Sequence, residues 1–289
     1  MSPEPDRERQ LADEAAARAG IARRAAVSHE LPPTSETVGA VVVTFNDEAR
    51  VARMLRTLLT EVAEIVVCDL GSRDRTLALV AERCPGVRRH QLPLEAGFAA
   101  AINEGARLLS QPFLLVLHGD ARLRPGALER LHGQLHAGGR RAACCGPRIT
   151  APDGTLELSA GFRPTVWRRW RAWWRTAVPR SRRGRKRTPR LAYGAPPILA
   201  EVDWVSCAAA LLRREAFDEV GGMDEGFFLA WADIDLGLRL RRAGWRTYCE
   251  PRARAIHLDR VEESAESRRR ARRRFARKHG LLARLRRAS

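Results

Sequence analysis

Three apolar runs in the first half of the sequence each end in a short polar group that could bind a ligand. These groups are Thr44-Phe45-Asn46, Asp69-Leu70-Gly71-Ser72 and His118-Gly119-Asp120. In an α/β fold, ligands bind beyond the carboxyl ends of the strands, where loops and helix N-termini converge. Two of the groups contain an aspartate. One aspartate per strand end is common in α/β proteins, so this pattern alone identifies no reaction.

The runs that carry these groups predict buried parallel strands. Residues 38–45 read VGAVVVTF, a β-branched run typical of a strand buried on both faces. Asn46 and Asp47 are predicted to cap a helix whose buried face is formed by Val51, Met54, Leu55, Leu58 and Leu59. The pattern then repeats, with strands predicted at 65–68 and 113–117, a helix at 77–84 capped by Asp74, and a helix at 98–109. Alternating strands and helices with short links predict a mostly parallel sheet flanked by helices.

The composition is that of a folded protein with acidic partners. An apolar fraction of 45% in 289 residues can supply the core of one large α/β domain. The net charge of +18 favours nucleic acid, anionic lipid or a phosphorylated substrate, although a coding bias towards arginine would also contribute to it. The cysteines show no CxxC pairing and are predicted to be buried free thiols: Cys68, Cys84, Cys144, Cys145, Cys207 and Cys249.

Hydropathy predicts that the chain does not cross a bilayer. No apolar run reaches the roughly 20 residues that a spanning helix needs. The first ten residues, MSPEPDRERQ, are charged and lack the apolar stretch of a signal peptide. We therefore expect a cytoplasmic protein.

The strand ends and a later acidic segment together resemble the inverting family 2 glycosyltransferases of the GT-A fold, particularly bacterial rhamnosyl- and galactofuranosyl-type enzymes. The matching segments are VVVTFNDEARVARMLRTLL, IVVCDLGSRDRT, AGFAAAINEGARLLSQPFLLVLHGDARLRP, DWVSCAAALLRREAFDEVGGMDEGFFLAWADIDLGLRLRRAGW and PRARAIH. They occur in the family's order between residues 38 and 257. The resemblance implies an α/β GT-A fold and transfer of a sugar from a nucleoside-diphosphate donor.

For the donor, the resemblance implies that the first two strand ends hold the nucleotide base and ribose through Thr44, Asn46 and Asp69. A carboxylate suits this role because it can accept a hydrogen bond from the imide N–H of uracil or thymine. Asp69 could also cap its own Gly71-Ser72 turn, and both roles could hold together.

The third strand end corresponds to the family's DxD site, where an acidic residue binds a divalent ion that bridges the donor's two phosphates. His118 replaces the first aspartate of that motif, and Asp120 is the predicted ligand. His118 either supports the ion or a phosphate, or only packs at the strand end. The resemblance adds His257 as a second ligand of Mg²⁺ or Mn²⁺, with a structural histidine as the alternative.

On the acceptor side, the segment from Trp231 to Leu236 matches a helical motif in which one carboxylate deprotonates the acceptor hydroxyl. The base is assigned to Asp233. Asp235, two positions on, points to another side of the helix, where it orients neighbouring groups or pairs with Arg239. Trp231 and Asp235 are included among the predicted substrate-binding residues. Ala232 occupies a position that is acidic in many relatives, a second departure from the family pattern.

Between the two halves, residues 161–200 form a basic, tryptophan-rich segment. A helical face is predicted to carry Trp167, Trp170, Trp173 and Trp174, flanked by Arg168, Arg169, Arg171 and Arg175. Tryptophan at the headgroup level and arginine paired with lipid phosphate predict an interfacial helix on an anionic membrane. Self-association through the tryptophan face ranks second, and nucleic-acid binding third.

These observations predict three parts: a flexible arm at 1–36, a GT-A domain at 37–260 and a basic C-terminal helix at 261–289. The predicted activity is inverting transfer of a sugar, of the hexosyl or rhamnosyl type, to a hydroxyl of a lipid-linked or cell-envelope polysaccharide acceptor. The enzyme would act at the inner face of the membrane as a peripheral protein. The alternative is a catalytically impaired sugar-nucleotide-binding or basic nucleic-acid-binding protein on the same fold.

Overall fold

The computed structural model describes residues 31–162, 196–258 and 263–279. The chain from Thr34 onward forms one compact unit, and the preceding unit, Met1–Pro33, lies almost entirely outside the described residues. The predicted interfacial tryptophans also lie outside them. No helix within the described ranges has the length and apolar character needed to cross a membrane.

The described helices and strands alternate through the first half of the chain. The helices are α1 (Thr34–Thr37), α2 (Val51–Leu58), α3 (Thr76–Arg83), α4 (Gly97–Arg107), α5 (Ala127–Ala137), α6 (Arg214–Glu219), α7 (Ala232–Arg242) and α8 (Ala265–Lys278). The strands are β1 (Val38–Thr44), β2 (Glu64–Asp69), β3 (Arg88–Gln91), β4 (Phe113–His118), β5 (Ala121–Leu123), β6 (Ala142–Thr150), β7 (Ala160–Gly161), β8 (Ala200–Val202), β9 (Trp204–Val205), β10 (Ala209–Arg213) and β11 (Arg246–His257).

One large sheet has the strand order β3-β2-β1-β4-β10-β6-β11-β5, and β8 pairs with β11. Strands β3, β2, β1 and β4 run parallel, whereas β10 is antiparallel to both β4 and β6. In this register Thr44 lies beside Asp69, and Val43 lies beside His118. The three predicted strand ends therefore meet at one edge, and the predicted α/β class is confirmed.

Strand β1 is buried on both faces, as its sequence predicts, because a hydrophobic cluster lies on each side of the sheet. Val41 and Val43 belong to one cluster, whereas Ala40 and Val42 belong to the other. The six cysteines are free and buried, which confirms that prediction.

The predicted cap of α2 is wrong. The helix begins at Val51, and its N-cap is Arg50. The main-chain oxygen of Asp47 accepts from the amides of Arg50 and Val51, and its carboxylate accepts from the Phe45 amide at 3.0 Å, so Asp47 supports the turn before the helix without capping it. Asn46 adopts φ 55° and takes no part in capping α2. Leu59 follows the last helical residue and is 46% exposed, so it does not belong to the buried face.

Candidate active site

At the ends of β1 and β2, hydrogen bonds fasten the two loops together. The Asp69 carboxylate accepts from Thr44 Oγ1 at 2.8 Å, from the Ser72 amide at 2.8 Å and from Ser72 Oγ at 2.5 Å. Asp69 is fully buried. The turn-capping alternative is therefore present in the structure, and a direct contact of Asp69 with a nucleotide base stays a prediction.

Asn46 joins the same two loops from the exposed side. Its Oδ1 accepts from the Arg73 amide at 2.9 Å, and its own amide donates to Ser72 Oγ at 2.8 Å. The left-handed backbone at Asn46 lets the chain leave β1 sharply, a conformation that asparagine tolerates better than most residues. These contacts give the mouth of the site a fixed shape.

A compact cluster of possible metal ligands lies at the next strand end. His118, Asp120 and His257 offer ligand atoms within 4.8 Å of one another. His257 Nε2 is 3.1 Å from Asp120 Oδ1, and His118 Nδ1 is 3.8 Å from the same oxygen. Antiparallel pairing of β11 with β5 sets His257 opposite Ala121, which brings two predicted ligands 137 positions apart into one site.

Glu157 holds His257 from its other side, a contact that the sequence did not predict. His257 Nδ1 lies 3.0 Å from Glu157 Oε2, and a carboxylate only accepts, so Nδ1 carries the proton. The buried Nε2 has no hydrogen-bond partner among the described residues, despite its closeness to Asp120. A histidine oriented in this way by a second carboxylate, with its other ring nitrogen facing the first carboxylate, fits a divalent cation that displaces any proton from Nε2.

The local charges agree with a cation site. Burial opposes a positive charge on His257, but the adjacent carboxylates of Asp120 and Glu157 outweigh it and raise its pKa. For His118, burial dominates and lowers the pKa to about 4, so its ring is neutral at pH 7. His118 also packs edge-on against Phe98 with ring centroids 4.2 Å apart, so the packing role is present in the structure, and support of an ion or phosphate stays a prediction.

Asp47 is a further carboxylate at this edge, and the sequence pattern assigned it to helix capping instead. Burial, with a smaller contribution from the charge of Asp120, raises the pKa of Asp47 to about 6. Gly119 permits its position, because a Cβ there would collide with the Asp47 carboxylate. The sequence signal that could have identified Asp47 is its position directly after the first strand-end group, Thr44-Phe45-Asn46.

Two cavities meet at the cluster. The strand-end cavity, about 330 Å³, is lined by residues that include Thr44, Asp47, His118, Asp120 and Phe228. The α7 cavity, about 520 Å³, is lined by residues that include Trp204, Trp231, Asp233, His257 and Arg268. Both are lined by Phe98, His118, Leu229 and Glu263. The arrangement can bind two molecules end to end, with the cluster where they meet.

Asp233 lies on the wall of the α7 cavity in the first turn of α7. Burial raises the pKa of Asp233 to about 6, against the lowering effect of the Ile234 amide, which donates to Oδ1 at 2.8 Å. Trp231, the residue before the helix, has φ 72° and lines the same cavity. A carboxylate of raised pKa in a cleft is suited to accept a proton.

Asp235 does not line either of the two cavities, in agreement with its predicted position on another side of the helix. It is fully buried, with its oxygens 2.7 Å from Arg239 Nε, 2.9 Å from Lys278 Nζ and 2.8 Å from His279 Nε2. The predicted pairing with Arg239 is confirmed, and the same carboxylate connects α7 to α8, whereas a contact of Asp235 with substrate stays a prediction. Trp231 reinforces this connection by packing on Phe275, with ring centroids 4.8 Å apart.

Curated relatives of this chain transfer sugars. The N-acetylglucosaminyl-diphospho-decaprenol L-rhamnosyltransferase of Mycobacterium tuberculosis is 29% identical over 249 residues, which cover 77% of this chain and 76% of the relative. The pre-mycofactocin glycosyltransferase of the same species is 31% identical over 245 residues, which cover 82% of this chain and 47% of the relative.

Solved structures show the same fold. GalNAc-T7 with UDP, GalNAc and Mn²⁺ matches with a TM-score of 0.56 at 16% identity, over 78% of this chain and 44% of that one. The mannosyltransferase PcManGT of Pyrobaculum calidifontis, in complex with GDP-Man and Mn²⁺, matches with a TM-score of 0.51 at 17% identity, over 84% and 63%. The chain thus spans less than two thirds of either structure.

The family model described as glycosyltransferase like family 2 matches residues 32–276. This match includes both cavities, the His118–Asp120–His257 cluster and Asp233. The chain therefore belongs to glycosyltransferase family 2, and it is a glycosyltransferase with the GT-A fold.

Proposed function

We propose that this enzyme transfers a sugar, with inversion, from a nucleoside-diphosphate donor to a hydroxyl of a lipid-linked or cell-envelope polysaccharide acceptor. The observation that carries the proposal is the place of Asp233. It is a carboxylate of raised pKa on the wall of the α7 cavity, next to the cluster of possible metal ligands where that cavity meets the strand-end cavity. Inversion requires a base on the acceptor side, and Asp233 meets that requirement.

In this proposal, one set of residues binds the donor and the cation, and Asp233 acts on the acceptor. Thr44, which lines the strand-end cavity, and the neighbouring Asn46 and Asp69 would hold the nucleotide, and Asp120 and His257 would hold Mg²⁺ or Mn²⁺. Such an ion would neutralise charge on the departing diphosphate. Asp233 accepts the proton of the acceptor hydroxyl as that oxygen attacks the anomeric carbon, and the sugar–phosphate bond breaks on the opposite face.

The lining of the α7 cavity supports the proposal of a phosphorylated or lipid-linked acceptor. Arg268 lines it and can pair with a phosphate group. The rhamnosyltransferase relative is named for a diphospho-decaprenol-linked acceptor, in agreement with this chemistry.

A donor screen tests the proposal. The protein is incubated with Mn²⁺ or Mg²⁺ and UDP-, dTDP- or GDP-linked sugars, and release of the nucleoside diphosphate is measured with and without lipid-linked acceptors. We expect one donor to be turned over, with acceptor-dependent acceleration and an inverted anomeric product. Binding of a donor without any turnover would support the non-catalytic alternative instead.

Glu157→Gln should weaken Mn²⁺ binding about 10- to 100-fold, because the amide no longer favours the Nδ1–H tautomer of His257 or supports charge on its ring. Calorimetric titration of Mn²⁺ measures this. Asp153→Asn is the matched control, since it removes an exposed carboxylate from the same connection between β6 and β7. Equal Mn²⁺ affinity in Glu157→Gln and wild type would contradict this role of Glu157.

We also propose that the enzyme works as a peripheral protein on the anionic inner face of the membrane. Helix α8 supports this with exposed arginines at 269, 270, 272 and 273.

Replacing Trp167, Trp170, Trp173 and Trp174 by serine should release the protein from anionic liposomes in a flotation assay, and nucleotide binding should be unchanged. High salt should weaken wild-type flotation only in part, because the tryptophan contribution is not screened. A wild type that stays soluble with anionic vesicles would favour self-association instead.

A further inference from the structure

Glu263 is a buried carboxylate that the mechanism above does not use. It is 9% exposed and lies two residues before α8. Its Oε1 accepts from Ser267 Oγ at 2.5 Å, whereas its Oε2 has no hydrogen-bond partner within the described residues. Leaving a buried acceptor unpaired is unfavourable, so this oxygen is suited to a ligand that supplies a donor.

The place of Glu263 narrows the class of ligand. It is one of the side chains that line both cavities, together with Phe98, His118 and Leu229. A carboxylate repels phosphate, so a nucleoside diphosphate or a phosphorylated acceptor would not choose this position. An uncharged sugar ring is suited to this position, because each of its hydroxyl groups can donate a hydrogen bond to Oε2.

Glu263 is also held firmly enough to select among ligands. Ser264 caps α8, its side chain accepting from the Ser267 amide at 3.1 Å. The far end of the helix is tied to the buried Asp235 by Lys278 and His279. A fixed acceptor discriminates against ligands that lack the matching hydroxyl.

We propose that Glu263 binds a hydroxyl of the transferred sugar at the junction of the two cavities, and so helps to determine which donor sugar is accepted. The inference rests on the proposed function, because it requires the donor sugar and the acceptor to meet at this junction. Glu263 is then a specificity-determining residue, separate from the base Asp233 and from the cation cluster.

The test compares nucleotide sugars with their own nucleoside diphosphates. Calorimetry with Mn²⁺ gives the Kd of UDP-galactose, UDP-N-acetylglucosamine, dTDP-rhamnose and GDP-mannose, and of UDP, dTDP and GDP. For the preferred nucleotide sugar, Glu263→Ala should raise Kd about tenfold or more, with the matching diphosphate unchanged. Glu263→Gln, which keeps the shape and one acceptor oxygen, should give a smaller rise. Glu266 is an exposed acid one helical turn away, and Glu266→Gln should change neither the Kd of the nucleotide sugar nor that of the diphosphate.

A second measurement identifies the hydroxyl. The wild type should discriminate against one monodeoxy analogue of the preferred donor, and Glu263→Ala should lose that discrimination. Equal weakening of sugar and diphosphate, or no change in either, overturns the assignment. A raised acceptor KM with unchanged donor Kd also overturns it, since Glu263 would then bind the acceptor. Failure of the wild type to bind any nucleotide sugar overturns the proposed function itself, which separates the two failures.

Discussion

Asp233→Asn should lower turnover by a factor of about 10² to 10⁴, with the Kd of the donor unchanged. The amide keeps the shape of the side chain and its place at the start of α7, but it cannot accept a proton from the acceptor hydroxyl. Steady-state kinetics with a lipid-linked acceptor measure the first effect, and calorimetry with the nucleotide sugar measures the second. The loss should therefore appear in kcat.

The pH profile gives an independent readout of the same residue. Burial raises the pKa of Asp233 from 3.8 to about 6, and a base works only when it is ionised. Wild-type kcat/KM should therefore fall as the pH drops through about 6 and level off above it, and Asp233→Asn should lose this dependence.

Asp235→Asn is the matched control for Asp233→Asn. Asp235 is fully buried against Arg239, Lys278 and His279, so its loss should lower the melting temperature by loosening α8 from α7. If Asp233→Asn keeps turnover near the wild-type value and Asp235→Asn loses turnover and its pH dependence, the two roles are reversed. Asp235 would then be the base, and Asp233 would not.

The sequence predicted the parts of the site that follow regular elements. Asp69 and Asp120 could be placed at one edge because parallel strands end together, and the structure aligns those ends. Asp233 and Asp235 could be separated because residues two apart on a helix point to different sides. The family resemblance added His257, which no periodic pattern could connect with Asp120.

Glu157 and Glu263 could not be predicted, for a physical reason. Glu157 lies in an irregular connection between β6 and β7, and Glu263 lies in the approach to α8, where no periodicity tells which way a side chain points. Their positions depend on pairings between distant strands, such as β11 with β6, and on the anchoring of α8. Asp47 was missed for the opposite reason, because a familiar local pattern, the helix cap, accounted for it.

Asp120→Ala should abolish the Mn²⁺-dependent part of donor binding while the fold stays intact. Asp120 is the one carboxylate in the three-residue cluster of possible ligands found among the described residues, and it faces both histidines of that cluster. Calorimetry with UDP or dTDP, with and without Mn²⁺, measures the effect, and circular dichroism checks the fold. Because the lost ligand is charged, the effect should exceed that of His257→Ala, which removes a neutral ligand.

Retained Mn²⁺-dependent binding in Asp120→Ala would point to particular other residues as ligands. If Asp120→Ala keeps the nucleotide affinity and still requires Mn²⁺, the ion is held by other carboxylates at this edge, and Asp47 and Glu157 become the candidates. Asp47 and Asp120 line the same strand-end cavity, so Asp47 can reach the same region. The double variant Asp47→Asn with Asp120→Ala would then remove the Mn²⁺ dependence that the single variant kept. If Asp120 alone carries the charge, Asp47→Asn by itself should leave Mn²⁺-dependent binding in place.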